Sequence, residues 1–539
     1  MNNNARLRPL AVAVALGSAL WLPQAQAFKL DTDNSDVSLR WDNTFKYSTA
    51  FRLQDRSDVL VNDVNYDDGD RNFDKGLISN RVDWLSEFDG RYKNLGFRVS
   101  GAAWYDDVYN QSNDNDSPFT NNATSVDSDE FTDETRDVHG RKAELLDAFV
   151  YGNFDLGEMR SNLRLGRHSL VYGETLFFGA NGIADAQGPV DLIKLLSVPS
   201  SQFKEVLRPV NQLSATLQLN WETSIGAYYQ FDWEETRLPG VGSYLSNIDW
   251  AGPGTESLIA GPSVIWNHAS DVEPEDEGQG GIQLRYAPED SSIEYGLYFA
   301  RYHAKTPSGF YFNPVDQTIR TVYHEGIRTY GASATTSIGQ LNLAAEVSIR
   351  DNAPLNSDPV IVLPGMAADN DDNALYAVGR TAHANLSGIY VMQPNSLWDG
   401  GALIGELAWN RVLSVTKNES ALDPNATRDA WAMRMIFNPA YFQVLPGLDI
   451  ELPIGLGYNF KGRSGAVANM NGGATHGGDF SIGVNGTYQN SWKFGASYVN
   501  FFGDEFSFVT PQNNPAPALS FQQTRGDRDF ISLYVQRTF

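Results

Sequence analysis

The stretch VSLRWDNTFKYSTAF, Val37–Phe51, decides the fold. Its odd positions are Val37, Leu39, Trp41, Asn43, Phe45, Tyr47, Thr49 and Phe51. Its even positions are Ser38, Arg40, Asp42, Thr44, Lys46, Ser48 and Ala50. A β-strand sends successive side chains to opposite faces, so this alternation sets an apolar, aromatic face against a charged one. Such a strand separates two unlike environments. Ile78, Val82, Trp84, Phe88 and Tyr92 oppose Arg81, Asp83, Glu87, Asp89 and Arg91 in the same way. The alternation returns in Leu213–Leu219, Ile225–Trp233, Leu341–Ile349, Ile450–Phe460 and Phe480–Tyr488.

These segments run ~10 to 15 residues, against ~5 to 6 in soluble sheets. A transmembrane β-strand needs ~9 to 11. The connections alternate between short and long. Short turns fall near Asn94, Asp155, Asn220, Glu289, Gly339, Pro394, Pro446 and Asn490. Long loops span 53–74, 110–138, 174–209, 239–278, 306–324, 351–375, 415–426, 461–476 and 504–523. The pattern predicts an all-β, transmembrane, antiparallel up-and-down barrel of about 18 strands, with 16 left open by uncertain strand ends. Long loops then face outward and both termini inward. A secreted β-sandwich is the alternative, but it has no need of so many outward aromatics.

Composition excludes other classes. The 539 residues carry 66 acidic and 40 basic side chains, a formal charge of −26. A nucleic-acid binder needs a basic footprint, so no nucleic-acid partner is expected. The absence of cysteine excludes disulfides, thiolate catalysis and cysteine-ligated metals. Mean hydropathy of −0.35 and the lack of long apolar runs speak against a helical membrane protein.

The ends add two signals. Arg6 and Arg8, the apolar stretch Leu10–Leu22, Pro23 and Ala25-Gln-Ala27 read as a signal peptide over 1–27, leaving 28–539 as the barrel. Its removal takes two arginines and no acid, so 38 basic residues face 66 acidic ones, a charge of −28. At the other end Ile531, Leu533, Val535 and Phe539 share one face, and a terminal phenylalanine resembles the assembly signal of outer-membrane barrels. Arg537 departs from that signal, which favours an apolar residue there.

The acidity is concentrated. Segments 55–74, 110–137 and 239–278 hold 22 acids against 3 bases. The expected role is solvation of exposed loops, with cation bridging to lipopolysaccharide or anion repulsion as functional alternatives. Asp369, Asp371 and Asn373 echo a calcium loop but lack its glycine and glutamate, so an ordinary turn is expected.

The third long loop differs. Residues 174–209 are far less charged, and Val190, Ile193 and Leu196 take helical spacing before Pro199. An apolar, helix-bearing loop is expected to fold into the barrel as a constriction or plug, packing over the rim being the alternative. Its charges are Asp185, Asp191, Lys194, Lys204, Glu205 and Arg208. The lumen wall is expected to present Arg81, Asp83, Glu87, Arg98, Arg164, Glu346, Arg350, Glu406 and Lys493. A lumen of both signs suits an electrostatically gated or plugged channel, although such charges also pair structurally.

No G-x-S-x-G, H-E-x-x-H or P-loop occurs, and the seven histidines are scattered singly. His168 is the one triad lead, and Ser169 beside it points to the opposite face. No enzyme activity, metal or cofactor is expected.

Arg40–Leu53, Asp67–Asp83, Gly101–Asn110, Leu163–Pro199 and Phe203–Gln212 together resemble the domain of unknown function 1302 family of proteobacteria. The third-loop run is the most distinctive. The resemblance implies a Gram-negative outer-membrane location, among outer-membrane lipid, lipopolysaccharide and the barrel-assembly machinery. It also implies an envelope exporter of the resistance–nodulation–division type as a neighbour, and hydrophobic substrates such as fatty acids, sterols or esters. It carries over no catalytic or binding residue. The expected function is transport of small amphipathic or hydrophobic molecules, gated by the third loop. The alternative is a non-transporting docking component of a lipid-export system.

Overall fold

The computed structural model describes residues 28–30, 34–117, 120–201, 203–261, 263–510 and 518–539. The expected signal peptide, 1–27, lies outside them. Nine wall strands come from the first part of the chain: β1 Val37–Arg52, β2 Gly76–Tyr92, β3 Leu95–Asp106, β4 Arg141–Leu156, β5 Met159–His168, β6 Val210–Gln218, β7 Thr223–Gln230, β8 Gln279–Tyr286 and β9 Ile293–Tyr302. Nine more follow: β10 Ile327–Ile338, β11 Leu341–Pro354, β12 Val378–Val391, β13 Gly400–Lys417, β14 Asp429–Leu445, β15 in two pieces (Leu448–Glu451 and Ile454–Lys461), β16 Gly478–Tyr488, β17 Trp492–Phe502 and β18 Phe530–Thr538.

Each wall strand pairs antiparallel with its sequence neighbours, and β18 pairs with β1, so the described strands close into an 18-stranded barrel. Sixteen is excluded. The eight expected short turns lie on one side and the nine long loops on the other. At the seam the register runs from Thr44 opposite Thr538 to Arg52 opposite Phe530. Asn43 and Phe539 exchange both backbone hydrogen bonds (2.8 and 2.9 Å), and the Phe539 ring stacks on Phe45 at 5.7 Å. Arg537 lies 5.0 Å from the Trp492 ring, a cation–π contact that gives a charge a place on the outer face near the barrel end.

The two faces follow the alternation. Leu163, Leu297, Val347, Leu386 and Leu533 are exposed on the outside, while Thr44, Lys46, Ser48 and Arg52 are buried inside. Exposed Tyr92, Tyr286, Tyr390 and Tyr488 ring the short-turn end, and Tyr105, Tyr229 and Tyr330 the long-loop end. An apolar band between aromatic girdles is the exterior of a lipid-spanning barrel. Ile78 is an exception to the expected parity. The β1–β2 register shifts between Ala50 and Phe51, leaving Ile78 as the extra residue of a bulge that turns it inward, 4% exposed. In β15 the break falls at Leu452-Pro453, where proline cannot donate to the ladder.

The outer loops are not solvated tails. Loops 1, 2 and 4 (53–75, 107–140 and 231–278) meet in a core of Phe73, Tyr109, Phe131, Tyr244 and Leu245 against Phe530 of β18, and loop 9 (503–529) joins them through Asp527 and Arg528. Loops 4, 5 (303–326) and 6 (355–377) build a separate five-stranded sheet from Ser257–Gly261, Val264–His268, Gly309–Asn313, Thr318–Val322 and Val360–Ile361. Arg52 bonds Asp70 (3.1 Å) and Asp527 (2.8 Å), while Arg528 bonds Asp70 (2.8 Å) and the Tyr244 carbonyl (2.9 Å), all in the interior. Asp67, Asp68, Asp70 and Asp249 are each 2% exposed or less, so these four do not serve solvation, whereas Asp55, Asp58, Asp116, Asp133 and Glu275 stay exposed. Asp369 does form the expected polar turn, accepting from Asp371 N and Asn373 N.

Val347, 55% exposed at the middle of β11, tests the lipid-facing assignment. Val347→Arg should lower barrel stability by about 2–4 kcal/mol in lipid vesicles, read by denaturant unfolding. An unchanged midpoint would remove that residue from the hydrocarbon region.

Candidate functional site

The third loop, 169–209, runs through the lumen and touches the wall on both sides. A backbone leaving the sheet must find new partners, and here wall side chains supply them. Glu406 of β13 accepts from the backbone N–H groups of Leu176 (3.0 Å), Phe177 (2.5 Å) and Phe178 (3.1 Å), and its other oxygen accepts from Asn385 (2.6 Å). Glu346 of β11 accepts from Glu174 N (2.7 Å) and Ile183 N (2.6 Å). Arg350 of the same strand donates to the carbonyls of Ala180 (2.9 Å) and Gly182 (2.8 Å) and pairs with Asp185 at 3.1 Å. Asn181 donates to Asn385 (2.7 Å) and the Trp409 carbonyl (3.1 Å). Phe178 packs among Ala408, Ala430, Ala432 and Met470.

Two glycines make this arm possible. Gly173 has φ +94, and a Cβ there would run into the Glu346 carboxylate. Gly331 of β10 leaves room for Ile183, whose Cδ1 occupies the place of the missing Cβ.

The second arm holds a helix over Leu192–Ser197, which starts two residues after Val190. Asp191 caps it by accepting from Lys194 N at 2.9 Å. The buried face is Ile193 and Lys194, whereas Leu196 is exposed. Val190 is extended and bridges Leu207, so the expected Val190–Ile193–Leu196 face does not exist.

This arm docks through charge. Arg237 pairs with Asp191 (2.7 Å) and with Glu144, which also takes Lys194 at 3.4 Å. The cationic groups of Arg81, Lys194 and Arg237 lie 4.9, 5.0 and 5.4 Å from the Trp104 ring. Asp83 holds Arg81 at 2.7 Å. Lys204 pairs with Glu87, which also takes Arg98, and Arg98 reaches Asp147 at 3.1 Å. Lys46 donates to the Pro199 carbonyl at 3.3 Å. Arg208 pairs with Glu234 at 3.3 Å, and Glu205 is half-buried on a separate one-turn helix, Phe203–Val206.

The expected residues thus fall into three groups. Asp185, Glu346, Arg350 and Glu406 hold the first arm. Asp191, Lys194, Lys204, Arg208, Arg81, Asp83, Glu87 and Arg98 surround the second. Arg164 and Lys493 stand apart and exposed on the inner face near the short turns, Arg164 lying 6.0 Å from the Phe149 ring. The alternation assigns Trp104 and Glu144 to the inward face, but nothing local marks them, or Arg237 on loop 4, as partners of the loop. Lys305, also from outside the wall, donates to the Ala186 carbonyl at 3.5 Å. Burial pulls its ammonium down to about 8, with Asp185 opposing.

His168 finds a serine after all. Its Nε2 lies 2.7 Å from Ser214 Oγ on β6, and its Nδ1 lies 2.9 Å from the Gly166 carbonyl. His168 is 1% exposed, Ser214 6%, and a backbone carbonyl stands where a triad has an acid.

Among curated proteins no relative matches the chain. Among solved structures it is similar to OccAB4 of Acinetobacter baumannii (11% identity, 94% of this chain and 100% of that one, TM-score 0.41). It is also similar to Pseudomonas aeruginosa OccK2 (OpdF) in complex with glucuronate (11%, 95% and 99%, TM-score 0.39). A third is the outer membrane channel DcaP of Acinetobacter baumannii (10%, 96% and 100%, TM-score 0.33). A family profile matches residues 8–539, nearly the whole length, and so the chain belongs to the family described as protein of unknown function (DUF1302).

Proposed function

We propose that the protein is an outer-membrane channel for small amphipathic molecules, with the third loop as its constriction and gate. One observation carries this reading. Inside a wall lined with charge, the loop leaves Val171, Leu176, Leu195 and Leu196 exposed at 41, 41, 57 and 37%. Exposed apolar side chains opposite charged ones make a path with two kinds of surface, which suits a solute that has both.

A cavity of about 440 Å³ on the short-turn side has the same character. The side chains of Leu176 and Ile389 line it beside Glu174 and Glu294. Pockets for drug-sized molecules are roughly 300–1,000 Å³.

The two arms suit different tasks. The first is fixed by at least five backbone amides on two carboxylates, bonds that exclude easy exchange. The second is held by a backbone bridge to Arg237 and by ion pairs, of which Lys204–Glu87 and Arg208–Glu234 are partly exposed and open to competition from a charged solute. It is the arm that moves.

Deleting 180–205 should raise single-channel conductance and the flux of amphipathic solutes in planar bilayers. Unchanged values for both would end the constriction reading. Glu144→Gln removes the shared partner of Lys194 and Arg237 and should increase flicker between conductance levels, with a smaller fall in unfolding temperature than Glu406→Gln causes. Glu406→Gln should behave oppositely. It loses charge-assisted bonds to three amides, worth about 1.5–3 kcal/mol each, and should show as a lower unfolding temperature in detergent. Equal effects from the two variants would refute the division between arms.

A further inference from the structure

Asp67 and Asp68 of loop 1 and Asp249 of loop 4 form a cluster outside the lumen. They are 1, 2 and 0% exposed, and carboxylate oxygens from all three lie within 4.8 Å of one another. Three buried carboxylates do not gather in an interior without compensation.

The hydrogen bonds show what is already compensated. Arg71 bonds Asp67 Oδ2. Asp68 accepts from Thr120 (2.6 Å) and Asn122 (3.2 Å) of loop 2, so both its oxygens are engaged. Asp249 Oδ2 accepts from Asp68 N at 3.1 Å. Two oxygens remain. Asp67 Oδ1 and Asp249 Oδ1 are buried and have no partner among the described residues. Asn121, 1% exposed and between two residues that hold Asp68, also leaves its Oδ1 unpartnered. A buried oxygen without a donor is a ligand atom in search of a cation or a proton.

From this we infer that Asp67, Asp68 and Asp249 bind one calcium ion that joins loops 1, 2 and 4. Charge sets the valence: three carboxylates against the Arg71 guanidinium leave two negative charges for one divalent cation to neutralise. The donors set the element. Carboxylate oxygens within 4.8 Å of one another can share an ion at calcium's bond lengths of about 2.3–2.6 Å. Magnesium demands near-ideal octahedral geometry and usually keeps several waters, for which carboxylates 2% exposed or less leave little room. Zinc favours nitrogen and sulfur, and the cluster offers only oxygen. Loop 2 reaches the ion through Asp68, and the Asn122 amide also donates to the Asp249 carbonyl at 2.9 Å. The ion would therefore tie three segments that are distant in sequence.

The test uses the full barrel folded in detergent and stripped with chelator. Isothermal titration with calcium chloride should give one site per chain, with magnesium at least tenfold weaker, and calcium should raise the unfolding temperature. Asp249→Asn and, separately, Asp67→Asn should abolish the saturable heat while the chain still shows the heat-dependent gel shift of a folded barrel. Asp369→Asn, in an exposed polar turn, should bind as the parent does. If either cluster variant fails to fold, the other variant and the parent titration decide. No saturable calcium binding by the parent, or binding that survives both cluster substitutions, overturns the site. Equal affinity for magnesium overturns the choice of ion.

Discussion

A hydrocarbon layer has no hydrogen-bond donors or acceptors, so every wall amide must be paired within the protein. Everything else in this barrel follows from that. The sheet can have no edge, so Thr44–Arg52 must meet Phe530–Thr538. With the backbone committed to the ladder, only side chains remain to tell the two faces apart, and Val347 and Ser348, successive on one strand, face lipid and lumen respectively. Departures from the ladder sit where another partner exists: at Leu452, next to the chain-breaking Pro453, the backbone N–H still donates to the Pro439 carbonyl at 3.0 Å.

The same rule operates inside the lumen, where the third loop brings backbone without a strand to pair with. Its first arm solves the problem with two wall glutamates and an arginine that take amides and carbonyls directly. The price of burying Glu346 and Glu406 is offset by those bonds, which makes the carboxylates structural rather than free lining charges. The second arm has its own helical hydrogen bonds and needs only anchoring, which Asp191, Lys194 and Lys204 provide through ion pairs. One loop therefore contains a part defined by neutral-to-charged bonds and a part defined by ion pairs together with a backbone bridge to Arg237.

How much of this was legible depended on range. Alternation in Val37–Phe51 needs only neighbouring residues, and it located the strands, the turn order and the inward wall. The apolar stretch from Thr175 to Pro199 likewise announced a loop that would not stand in water. The bulge that turns Ile78 inward arises from a register shift against Phe51 and has no local mark. The helix face was misread because Val190 is drawn into a bridge with Leu207, a tertiary contact that overrides spacing. Four acids of the outer loops misled for the same reason. Asp70 looks like its neighbours in sequence, and Arg52 and Arg528, 18 and 458 positions away, turn it into an interior residue. Ser214, the partner of His168, is 46 positions off and on another strand.

The seam between β1 and β18 also orders events in time. Glu406 cannot receive residues 176–178 until β13 has formed, and β18 is the last strand in the chain. With Phe539 paired to Asn43 the wall is closed and the packed outer loops stand over the long-loop end, which favours a third loop already within the curve of the sheet. Assembly is thus a wrapping of the wall around its contents. A chain that joined its ends first would be a sealed ring with its filling left outside.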